Sequence, residues 1–116
     1  MNEALFFSLL TGGIFLIAGL FLFFFPPKNI NGLYGYRSSF SMKSQEIWDY
    51  AQKHAGKQMM KAGLILFVLG GLFYLVSIPS ELAVIFELIA LLVVVILMLY
   101  FVDKHLRKQF PIDPSN

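Results

Sequence analysis

Cysteine is absent from the 116 residues, which removes any disulfide framework, thiolate nucleophile or cysteine-based metal site. Charge is scarce at 14% of residues, and the only two histidines, His54 and His105, lack the spacing of a zinc motif such as H-E-x-x-H. No G-x-S-x-G elbow, P-loop or dinucleotide fingerprint occurs, so the chain offers no catalytic residue, metal site or cofactor site to assign. Asp49 and His54 read as solvated groups rather than as an acid/base pair. A non-enzyme without cofactor is expected.

What the sequence has in abundance is apolar length. Hydrophobic residues make up 58% of the chain and the mean hydropathy is +0.72, values of a membrane protein. Three runs carry this excess and leave no room for a separate soluble unit, so a single domain over 1–116 is expected. The first run, Ala4 to Phe25, has no charge and would reach about 33 Å as a helix, enough for a hydrocarbon core of roughly 30 Å. It ends at Pro26-Pro27. Without a basic leader, and with an apolar stretch too long for a signal peptide, it is predicted to be a retained helix. The second run is uncharged from Ala62 to Ile78; with Lys61 snorkelling it extends back to Met59, giving a span over 59–78. The third covers 82–102 with Glu87 as its single charge, followed by a polar tail over 103–116.

The cations define a topology. Lys28, Arg37, Lys43, Lys53, Lys57 and Lys61 lie between the first and second spans, and Lys104, Arg107 and Lys108 follow the third. Three spans put both groups on one side, opposite Glu3 and Glu81. The positive-inside rule then predicts an outside N-terminus and a cytoplasmic C-terminus. Solvated, headgroup-facing lysines account for this charge without direct nucleic-acid binding.

The connector over 26–58 holds most of the polar variety. Asn29, Asn31, Gly32 and Gly35 favour tight turns, with Tyr34, Tyr36 and Arg37 interleaved among them. Amphipathic aromatics suit a membrane interface, and the Arg37 fork suits phosphate or carboxylate. Ser41 or Ser44 is predicted to cap a helix over Gln45 to Ala55. That helix places Ile47, Trp48, Ala51 and Ala55 on one side and Glu46, Asp49 and Lys53 mainly on the other. This segment is expected to be a short amphipathic helix, ended near Gly56, lying in the interface or folded under the bundle. The predicted fold class is therefore all-α: three transmembrane helices and an ordered cytoplasmic connector with one interfacial helix.

Ile30-Asn31-Gly32-Leu33-Tyr34-Gly35-Tyr36-Arg37, then Ser41-Met42-Lys43, Trp48, Ala51 and Gly56-Lys57, resembles the signature of the SdpI family. These bacterial membrane proteins include immunity factors against the SdpC toxin peptide. The resemblance implies a three-span domain that protects against a membrane-active peptide, as in bacteriocin resistance, and relays its presence by holding a cytoplasmic repressor at the membrane. It marks Asn31, Gly32, Tyr34, Gly35, Tyr36, Arg37, Ser41, Met42, Lys43 and Trp48 as ligand- or partner-binding candidates. The characterised immunity protein carries further spans before this domain, whereas only the signature domain is expected here. Ser38-Ser39-Phe40 also replaces a Thr-containing stretch expected after the arginine.

Glu87 is an ionisable residue within a span, which insertion scales penalise by about 2.5–3.5 kcal/mol at a helix centre. It shares a narrow stripe with Ala83 and Ala90 and is expected either to face an outward cleft and contact a peptide or lipid, or to be a structural carboxyl bonded to Tyr74 or Ser77. Gly12 and Gly19, like Gly63 and Gly70, are seven apart and predict close helix packing. So thin a bundle is consistent with a homodimer. The alternative to immunity is a small transporter, channel or lipid-binding subunit, with Gly32, Gly35, Arg37 and Lys43 holding an anionic headgroup.

Overall fold

The structure, a computed structural model, describes residues 3–111. Within them the fold is all-helical without strands: α1 (Glu3–Phe24), α2 (Gln45–Leu75) and α3 (Ser80–Gln109). Each helix is long and apolar enough to cross a membrane. Their outer faces carry side chains such as Ile17, Val68, Leu92 and Ile96, all more than half exposed. Hydrocarbon is the solvent that accepts such a surface, and helices are the form that satisfies every backbone group within it.

α1 stops before Pro26-Pro27, whose rings disfavour continued helix in the preceding residues. α2 starts at Ser44, one of the two serines expected to cap it: the Ser44 Oγ accepts from the Ile47 N–H at 3.1 Å. At its other end Ser77 N–H donates to the Tyr74 carbonyl at 3.2 Å and Ile78 N–H to the Phe73 carbonyl at 3.4 Å. This is a Schellman closure with Ser77 in the left-handed region at φ 61°. Pro79 then turns the chain into α3.

Two expected boundaries differ. The short interfacial helix ending near Gly56, with a separate span from 59, is instead the start of one continuous 31-residue helix. Gly56 lies in mid-helix because it is a packing site: a Cβ there would come within 2.8 Å of the Phe23 nitrogen and 2.9 Å of the Gly19 carbonyl oxygen. The tail expected from 103 continues α3 to Gln109. Val102 and Leu106 are fully buried one turn apart, and the Arg107–Asp103 pair at 2.8 Å spans a turn on the outside. Residues 112–116 of that tail lie outside the described residues.

The antiparallel α1/α2 pair is organised by glycines. Gly12 faces Gly63 and Gly19 faces Gly56, with Cβ-to-carbonyl separations of 2.7–2.9 Å if any of the four became alanine. Gly70 extends the same seam, where a Cβ would collide with Ser8 Oγ. In lipid there is no hydrophobic drive to bring helices together, so close backbone packing of this kind supplies the association. Of the two predicted glycine pairs, Gly12 meets Gly63, whereas Gly19 meets Gly56 and Gly70 meets Ser8, so Gly56 adds a third heptad position on α2.

The molecule is 54 Å long, more than the 40–45 Å of a bilayer with its headgroups. The excess lies at the connector end, where α2 and α3 run past the end of α1 around a core of Leu22, Phe40, Ile47, Ala51, Ala55, Val102 and Leu106.

Gly63→Val is expected to destabilise the α1/α2 pair by about 1–3 kcal/mol, because Gly12 backbone cannot yield as a side chain would; thermal aggregation in mild detergent, followed by size exclusion, measures it. Ser77→Gly should instead stabilise the hairpin by about 1 kcal/mol by removing the left-handed penalty, raising the midpoint in the same assay.

Candidate functional site

The connector is a folded cap whose order comes from a few side chains bonded to backbone. Asn31 closes an Asx turn: its Oδ1 accepts from the Leu33 and Tyr34 N–H groups, both at 2.8 Å, and its Nδ2 donates to the Asn29 carbonyl at 2.9 Å. Tyr34 Oη then donates to the Phe25 carbonyl at 3.0 Å, tying the loop to the end of α1. Trp48, with no exposed surface, donates its Nε1–H to the Pro27 carbonyl at 2.8 Å. Ser41, equally buried, and Ser38 bond reciprocally: Ser38 N–H to Ser41 Oγ at 2.8 Å, Ser41 N–H to Ser38 Oγ at 3.0 Å.

Gln52 is the residue that sequence reasoning missed. It is wholly buried on α2, and its amide meets Tyr36 on both sides: Tyr36 N–H donates to Oε1 at 2.7 Å and Nε2 donates to the Tyr36 carbonyl at 2.8 Å. One side chain thereby acts as a β-strand partner for a single residue. Gly35 lets this happen, since it sits at φ 107° and a Cβ would press to 2.6 Å from Gln52 Oε1 and 2.7 Å from Pro27 Cγ. The available signal was position: Gln52 follows Trp48 by one turn and precedes Ala55 by three residues, a polar residue within an otherwise apolar stripe. Burial against the connector-end core raises the Tyr36 phenol above its ordinary value.

The predicted site residues therefore separate. Asn31, Gly35, Tyr36, Ser41 and Trp48 build the cap, whereas Gly32, Tyr34, Arg37, Met42 and Lys43 are exposed on it. Leu33, 96% exposed at the loop apex, joins this outer set. Arg37 makes no hydrogen bond or ion pair among the described residues, and it lines a cleft of about 450 Å³ with Tyr34, Gly35 and Tyr36. His54 and His105, expected as separate surface groups, stack with ring centroids 4.1 Å apart, and Tyr50 Oη lies 2.7 Å from His105 Nε2. They join α2 to α3 outside the cleft; among the described residues no group of three or more His, Cys, Asp or Glu could hold a metal.

Glu87 lies near the opposite end and does not open onto an outward cleft. It is 4% exposed, with both carboxylate oxygens lacking a hydrogen-bond partner among the described residues. The expected partners are elsewhere: Tyr74 is 56% exposed and Ser77 is in the turn. Its neighbours are the small residues of the seam, and a Cβ on Gly70 would be 3.2 Å from Glu87 Oε1. Ser8, beside them, already donates its hydroxyl to the Leu66 carbonyl at 2.8 Å. A buried carboxyl without a partner is a stored cost, and any group that pairs with it gains that cost back.

A sequence model of the SdpI/YfhL protein family matches residues 28–101, from the start of the connector to near the end of the third apolar run. "Uncharacterized protein YfhL" of Bacillus subtilis (strain 168) is 40% identical over 63 residues, which is 54% of this chain and 57% of that relative's length. The chain thus spans little more than half of the curated relative it matches. No solved structure matches it.

Gln52→Leu should strand the Tyr36 N–H and carbonyl and loosen the cap, at about 1–3 kcal/mol. Trypsin cleavage after Arg37 in detergent-solubilised protein is expected to speed up several-fold, with α-helical content unchanged by circular dichroism.

Proposed function

We propose, from the premise that the chain belongs to the SdpI/YfhL family, that it is an immunity and signalling protein of a bacterial inner membrane. In this reading the bundle receives a membrane-active toxin peptide from outside and the connector reports its presence to a cytoplasmic repressor. The one-sided distribution of cations supports the connector as the cytoplasmic face.

The observation that carries the reading is the unpaired, buried Glu87 at the end of the bundle opposite that face. A closed bundle that buries a partnerless carboxyl is held less tightly than its packing would allow. A peptide presenting an amide or cationic group there would bind the parted bundle better than the closed one, the differential affinity that any ligand-driven change requires. The glycine seam gives the signal a rigid carrier, since a shift of α1 against α2 at Ser8 and Gly70 must also move Gly19 against Gly56, beside the cap. The exposed Leu33, Arg37, Met42 and Lys43 would form the surface that a repressor reads. Protection by a homodimer is compatible with the exposed outer face of α3.

Expression in a toxin-sensitive bacterial strain tests this, with survival scored against a panel of membrane-active peptides at matched protein levels. Wild-type chain should rescue, and Glu87→Leu should abolish rescue while raising thermal stability by about 1–3 kcal/mol, since an apolar side chain removes the unpaired group. Full rescue by Glu87→Leu would remove Glu87 from peptide contact, and no rescue by wild type against the panel would remove the immunity reading itself.

A further inference from the structure

Apart from Arg37, which the toxin reading also places on its repressor-facing surface, the cleft at the connector end has features that neither that reading nor the packing of the bundle uses. It lies where α1 and α3, the least closely packed pair of helices, diverge beneath the cap. Its walls are apolar and drawn from all three helices, including Ala18 and Leu22 of α1, Met59 of α2 and Met98 of α3. Alanine at 18 hollows the wall, and the two methionines are unbranched side chains that adapt to an irregular guest. At about 450 Å³ the cleft is within the range of small-ligand sites.

One end of this apolar space is cationic. Arg37 lines it and has no carboxylate or hydrogen-bond partner among the described residues. Asp103 is instead paired with Arg107 at 2.8 Å. Gly32 leaves the approach to the guanidinium open: even a Cβ there would stand 3.9 Å from Arg37 Nη1. Tyr34 lies beside it, half exposed with its hydroxyl engaged on the Phe25 carbonyl, as an interfacial aromatic does. A planar, unpaired guanidinium above an apolar slot between membrane helices matches a phosphate carrying an acyl chain.

We propose that this cleft is a binding site for one anionic phospholipid of the leaflet at the connector end, its phosphate on Arg37 and an acyl chain between α1 and α3. Lys43, which the sequence placed in the same headgroup set, does not line the cleft and contributes only to the surrounding field. The lipid would fill the gap between α1 and α3 and hold the cap against the bundle. Because the site rests on cleft and charge alone, it stands independently of toxin immunity.

Full-length protein, delipidated in detergent, provides the test through native mass spectrometry and thermal melting with phosphatidylglycerol, phosphatidylcholine or glycerol phosphate added. One phosphatidylglycerol should be retained per chain and raise the midpoint by about 4 °C, with phosphatidylcholine and glycerol phosphate giving little. Arg37→Gln, at an exposed position, should weaken phosphatidylglycerol retention about tenfold and bring it to the phosphatidylcholine level. Ala18→Leu, which fills the slot, should reduce retention with Arg37 intact. Equal retention of both lipids by wild type, or unchanged retention in Arg37→Gln, would overturn the proposal. Protection by glycerol phosphate alone would reassign the site to a free phosphate. A wild-type dimer that retains no phosphatidylglycerol and dissociates in Ala18→Leu would assign the cleft to a second copy, and that too would overturn it.

Discussion

The backbone contact between α1 and α2 is the constraint on which the rest of the structure depends. Four glycines place carbonyl oxygens where a Cβ would stand, so the two helices have one register in which they pack closely. In a bilayer, where apolar side chains gain nothing by leaving lipid for protein, that close approach is the main source of association. The register then decides what lies at each end. At one end it brings Ser8 and Gly70 to Glu87; at the other it carries Gly19 to Gly56 and sets the start of α2 beside the connector.

The two ends treat buried polar groups in opposite ways. Gln52 is wholly buried and satisfied on both sides by the Tyr36 backbone, so it confers order: one amide selects one conformation for an otherwise irregular loop. Glu87 is almost as buried and has neither oxygen satisfied among the described residues, so it confers instability rather than order. The bundle is therefore firmly knit by hydrogen bonds at its connector end and carries a carboxyl without a partner among the described residues toward the other. The same cap leaves Arg37 without a hydrogen bond or ion pair among the described residues, at the edge of an apolar slot.

Much of this was legible beforehand. Three apolar runs, the prolines that end the first, the Ser44 cap and the heptad spacing of Gly12/Gly19 and Gly63/Gly70 are local patterns whose physics acts over a few turns, and each stands in the structure. The connector motif pointed to the SdpI family, which the family match supports. Gly56 was misread because a glycine after an amphipathic stretch looks alike whether it ends a helix or receives another backbone; only the helix opposite decides between them. Gln52 was passed over for a similar reason, since its partner is a backbone group sixteen residues away.

The sequence by itself determined that the chain is helical with three runs long enough to span a membrane, and that its cations cluster in the connector and after the third run, because hydropathy and charge counts need no knowledge of neighbours. Tertiary structure alone decided that α2 runs unbroken through Gly56, that half of the motif residues build the cap while the others face out of it, and that Glu87 is buried without a hydrogen-bond partner among the described residues. Those outcomes depend on which atoms meet across helices, and a steric or hydrogen-bonding partner distant in the chain leaves no mark on the residue it will meet.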